Sequence, residues 1–158
     1  MTAKDRKVVL GLGNTLNRDE GLGVFALEPL RARLPEGGPI ELLDGGVLGM
    51  GLLPIVESCS HLLILDAVDG GATPGTVIEL SREELPLFAR LKLSLHQLGF
   101  QEVLQFASVR GNLPERLGLV GAQPADTSVG VGLSPEIEAV LPEIAARARA
   151  VLERWGLV

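Results

Sequence analysis

The stretch GLGNTLNRDEGLG, residues 11–23, decides how this chain is read. An apolar run over residues 7–12 leads into it, and glycines recur at positions 11, 13, 21 and 23. A strand, a glycine turn and then a helix is how a parallel α/β sheet begins. It is also how the dinucleotide-binding fingerprint G-x-G-x-x-G begins. Here the fingerprint fails, because its third glycine position holds Leu16. Asp19 and Glu20 would also repel a pyrophosphate at the helix N-terminus. The glycines serve another purpose: they let the backbone leave the strand sharply and start a helix close by. Taken alone, the two acids read as groups stabilised by the positive end of that helix.

Working outward, apolar runs rich in Val, Ile and Leu predict strands over residues 7–12, 40–43, 61–67, 76–80 and 117–123. Their near-continuous apolar character fits strands covered on both faces. Between them, residues 21–34, 49–59 and 96–106 read as helices. Pro29 and Pro54 predict a kink or a shifted start in the first two. The last helix is the clearest, with Ser134 as N-cap, Pro135 as first residue and Gly156 at its end. This alternation predicts one α/β domain over residues 1–158, a mostly parallel sheet with helices on both faces. The link from Asp66 to residue 76 is too short for a crossover helix, which predicts one antiparallel pairing.

Composition narrows the function. A chain of 158 residues, 46% hydrophobic, buries a sizeable core without disulfides. Net charge is −6, the wrong sign for a phosphate-backbone binder, and no tyrosine is present to build a stacking platform. A single cysteine, Cys59, excludes an internal disulfide and a cysteine-rich zinc site. No apolar run approaches the length of a membrane span and no signal-peptide pattern opens the chain. The expectation is a cytoplasmic protein that binds neither nucleic acid nor membrane, and nothing demands an oligomer, so a monomer is expected.

In open α/β sheets the chemistry gathers at the carboxyl ends of the strands. That edge is expected to hold Asn14, Asp19 and Glu20, then Asp44 with Gly45 and Gly46, then Asp66 and Asp69. The two histidines differ. His61 opens a strand at the opposite edge and reads as a solvated residue. His96, in LSLHQLGF, reads either as a capping or core histidine or, if its loop folds over the carboxyl edge, as an imidazole meeting Glu20 and Asp66. Two carboxylates and one imidazole would make an open site for a borderline divalent metal. Other protease patterns are absent: there is no H-E-x-x-H, no G-x-S-x-G, and Ser58, Ser60 and Ser94 have no evident base partner.

The ordered blocks GLGNTLNRDEGLGV, LLDGGVLGMGLL, HLLILDAV, PGTVIEL, LSLHQLG, LGLVGAQP and GLSPEIEAVLP together resemble the nickel–iron hydrogenase maturation endopeptidases. The resemblance runs from Val8 nearly to the C-terminus. It implies a three-layer α/β/α sandwich with a twisted five-stranded sheet, and metal-site residues at Glu20, Asp66 and His96. It implies substrate recognition by the DGG turn, Asp44, Gly45 and Gly46. The implied activity is hydrolytic removal of a short C-terminal extension from the precursor of the hydrogenase large subunit, once nickel has been inserted. The nickel is carried by the substrate, so the isolated enzyme is expected to hold no metal tightly. Two other readings stay open: a non-catalytic chaperone that senses the partner's metal, and a peptidyl-tRNA hydrolase, which also carries GLGN after a first strand. The acidic charge and the Thr15-Leu16 continuation oppose the latter.

Overall fold

The structure of the protein, a computed structural model, describes residues 4–85 and 98–158. Five strands, β1 (Arg6–Leu12), β2 (Ile40–Gly46), β3 (Cys59–Ala67), β4 (Val77–Ser81) and β5 (Arg116–Ala122), form one sheet in the order β2-β1-β3-β5-β4. The first three and β5 run parallel, and β4 alone is antiparallel. The expected antiparallel strand is therefore present, but its partner is β5 rather than the preceding β3. The link after Asp66 passes over the end of β5, where Gly75 and Val68 donate to the Gln123 and Ala122 carbonyls.

Alternation along the strands separates two apolar layers. Val9, Leu63, Leu65 and Val120 face α1 (Leu22–Phe25), α2 (Leu27–Arg31) and α5 (Pro135–Arg154) through Leu22, Leu30, Ile144 and Leu152. Val8, Leu10, Leu62, Ile64 and Leu119 face α3 (Leu53–Ser58) and α4 (Leu98–Val109) through Val56, Phe100 and Val103. The result is the expected three-layer sandwich.

The prolines act as their chemistry requires. Pro29 lacks an N–H and its ring crowds the carbonyl four residues back, that of Phe25, where α1 ends and α2 takes over. Pro54 sits in the first turn of α3, which begins only after a 3-10 turn over Gly49–Leu52. The expected helix over residues 49–59 also runs too far, because Cys59 already belongs to β3. Ser134 caps α5 as expected, its hydroxyl accepting from the Ile137 N–H.

Candidate active site

The helices after β1 and after β2 pack on opposite faces of the sheet, so the chain diverges between neighbouring strands β1 and β3. A crevice opens at such a switch point, outside the carboxyl ends of the strands. Glu20 arrives there on a 3-10 turn, Arg18–Gly21, directly after β1. Asp66 stands near the end of β3. Both are buried, Asp66 almost completely at 1% exposure and Glu20 at 8%.

Glycine makes this closeness possible. Gly13 takes a φ of +120°, and a Cβ there would run into the Glu20 carbonyl. A Cβ on Gly23 would overlap the carbonyl oxygen of Leu65, the residue before Asp66. A Cβ on Gly121, the β5 residue opposite Asp66, would overlap the Asp66 carbonyl. The glycines of the opening stretch thus seat the Glu20 turn directly against β3.

The electrostatics follow from the burial. Desolvation holds the Asp66 carboxyl well above the usual carboxylate range, and the nearby charge of Glu20 pushes it in the same direction. The Ala67 N–H, donating to Asp66 Oδ1 at 2.8 Å, pulls the other way without overcoming them. A buried acid whose ionisation a nearby carboxyl opposes can hold a proton, pass it on, or release it when a cation arrives.

Asp19, one residue earlier, does something else. Its Oδ2 accepts from the Ala125 and Asp126 N–H groups, each at 2.9 Å, and from Ser134 Oγ at 2.8 Å, while Oδ1 accepts from the Ser134 N–H at 2.8 Å. This fully buried acid ties the loop before α5 to the turn after β1. Nothing in the local pattern at Asp19 signals a partner 115 residues away. Gln123, read from sequence only as the end of a strand, holds the loop after β3: its Oε1 accepts from the Gly70 and Ala72 N–H groups and its Nε2 donates to Asp69.

The remaining expected residues divide. Asp44, Gly45 and Gly46 end β2 at the same edge; Asp44 is exposed and accepts from the Gly46 N–H at 2.9 Å, closing a tight turn. Gly46 accepts from the Gly13 N–H at 3.0 Å, joining this turn to the Glu20 loop. His96 and Ser94 lie outside the described residues. His61 stands at the opposite, amino edge as expected, but it is half-buried and packs edge-on against Trp155 at 5.9 Å. Burial, then Lys7 and Arg116 beside it, hold its imidazole below the usual histidine range. Ser60 does have an imidazole neighbour, its Oγ 2.8 Å from His61 Nδ1, far along the strand from the acids. Cys59 is buried, its thiol pushed up to about 11 by desolvation, which suits a packing role.

Among the described residues no group of three or more His, Cys, Asp or Glu side chains is arranged to hold a metal ion. Glu20 and Asp66 place two buried acids at this crevice, near enough that the charge of Glu20 acts on Asp66. A cavity of about 520 Å³ lies beside Glu28, Pro35 and Ile40 at the start of β2, and neither Glu20 nor Asp66 lines it. No helix among the described residues is long and apolar enough to cross a membrane.

The chain is similar to known proteins over most of its length. A family profile described as hydrogenase maturation protease matches residues 24–150. The chain is 39% identical over 155 residues to the hydrogenase expression/formation protein HupD of Rhodobacter capsulatus, covering 97% of this chain and 74% of that one. It is 39% identical over 153 residues to the hydrogenase 2 maturation protease of Escherichia coli strain K12, covering 96% and 93%. The fold is similar to that of the hydrogenase maturating endopeptidase HybD from E. coli, with a TM-score of 0.87, 38% identity and coverage of 96% and 94%.

Proposed function

Because the chain belongs to the hydrogenase maturation protease family, we propose that it is the endopeptidase that trims the C-terminal extension from a nickel–iron hydrogenase large-subunit precursor after nickel insertion. Glu20, Asp66 and His96 meet the nickel that the substrate carries, and Asp44, Gly45 and Gly46 form part of the substrate-recognition turn. The observation that carries this reading is the pair of buried acids at the sheet's switch point, Asp66 with its ionisation opposed by burial and by Glu20.

The chemistry is that of a site completed by its substrate. A carboxyl whose ionisation burial opposes gives up its proton more readily when a cation arrives to replace it. The protein supplies oxygen donors and an imidazole, whereas nickel finds its better ligands among the thiolates of the large subunit. The isolated protein then holds nickel weakly, and a precursor without nickel docks without the contact that sets the peptide in register.

The test is direct. Glu20→Gln, Asp66→Asn and His96→Ala are each expected to slow precursor processing by at least about a hundredfold while urea unfolding stays cooperative. Normal processing by any one of them removes that residue from the site. The chaperone reading predicts that wild-type protein binds the precursor and leaves its mass unchanged.

A further inference from the structure

Large aliphatic side chains crowd the surface around this acidic crevice. Leu16 lies in the loop after β1, Val47, Leu48 and Met50 follow β2, and Val129 and Val131 lie between β5 and α5; all six are exposed, Val129 and Val131 at 85% and 78%. Backbone hydrogen bonds set these loops side by side. Gly13 donates to the Gly46 carbonyl at 3.0 Å on one flank of the Glu20 loop. On the other, Gly130 donates to the Leu16 carbonyl at 2.9 Å and Arg18 donates to the Gly130 carbonyl at 3.3 Å.

The second junction is tight. Arg18 adopts a left-handed φ of +47°, uncommon outside glycine, and its guanidinium covers Gly130 so closely that a Cβ there would come within 2.6 Å of it. The Asp19 anchor at Ala125 and Asp126 holds the same loop from beneath. Val129 and Val131 are therefore presented by a braced segment, not by a loose one. Exposed aliphatic side chains on ordered loops around a reaction site mark a contact surface.

We propose that this apolar rim is the docking surface for the stretch of large-subunit precursor that flanks the scissile bond, and that this stretch is aliphatic rather than acidic. The inference rests on the maturation-protease reading above. Its occupant follows from continuity: a peptide bond that reaches Glu20 and Asp66 passes over the loops on either side of them. The rim lowers KM by desolvating aliphatic side chains against the substrate, while the acids meet the nickel it carries.

The experiment measures KM and kcat for nickel-loaded precursor with Leu48→Asp, Val129→Asp and Val131→Asp. As controls, Phe106→Asp and Val109→Asp alter the exposed apolar residues of α4. Each rim variant is expected to raise KM at least tenfold with kcat within threefold of wild type, and the controls to change neither. Val129→Ile should restore wild-type KM. If an aspartate variant unfolds early in urea, Val129→Ser, a milder change at the same position, is expected to raise KM severalfold. Unchanged KM in the rim variants overturns the docking surface, as does an equal effect in the controls. So does sedimentation showing that the rim variants instead dissociate a dimer of this chain. Wild-type protein that does not cleave the precursor overturns the protease reading as well, whereas cleavage by wild type and rim variants alike overturns the rim alone.

Discussion

Asp19 and Glu20 are consecutive and both buried, yet their surroundings differ in kind. Around Asp19 the chain has arranged two backbone N–H groups from Ala125 and Asp126 and both donors of Ser134, so the carboxylate is solvated by protein. Around Glu20 it has placed a second carboxyl, Asp66, whose ionisation is opposed by burial and by the charge of Glu20. A buried charge matched by four donors stabilises the fold, whereas a buried acid whose ionisation a neighbouring carboxyl opposes resists losing its proton. That difference separates an anchor from the proposed reaction site within one dipeptide.

Substitutions can break the contrast. The largest stability effect is expected at the anchor. Asp19→Ala leaves four donors without their acceptor and should destabilise the protein by about 3 kcal/mol or more, read from urea unfolding. Ser134→Ala removes the α5 cap together with one donor to Asp19, and a loss of about 1–2 kcal/mol is expected. The double variant should lose less than the sum, since the two share a network. An additive result would show that the Asp19 cluster does not act as a unit.

At the proposed reaction site the sign reverses. Because the folded pKa of Asp66 is raised, the native state binds more protons than the unfolded chain between the ordinary carboxylate range and that raised value. Stability therefore falls as pH climbs through this window, and the cost is present in full above it. Asp66→Asn removes the charge and keeps an oxygen for the Ala67 N–H. It should be more stable than wild type near pH 7, on the order of 1 kcal/mol, with the gap closing towards pH 4. A variant less stable than wild type at neutral pH would place Asp66 with the anchors.

The sequence carried much of the frame because strands buried on both faces declare themselves as continuous apolar runs, as residues 61–67 do. It carried the placement of Glu20 and Asp66 at one edge, because parallel pairing of β1 with β3 puts the residues after one and at the end of the other on the same side. It did not carry the insertion of β5 between β3 and β4, because register depends on which long-range pairing buries more surface. Nor did it carry the Asp19 network, whose donors are mostly backbone N–H groups that any residue could supply. The aliphatic rim was equally hidden, since Val129 and Val131 look like strand or core residues until their exposure is known.

The central claim is that substrate-borne nickel completes a site made of opposed carboxyls. The decisive measurement is the mass of the precursor, purified with and without nickel, after incubation with metal-stripped protein. The account predicts that nickel-loaded precursor loses its C-terminal extension and that nickel-free precursor keeps it. Equal cleavage of both would leave a protease but contradict nickel recognition, and cleavage of neither would return the chaperone reading to first place.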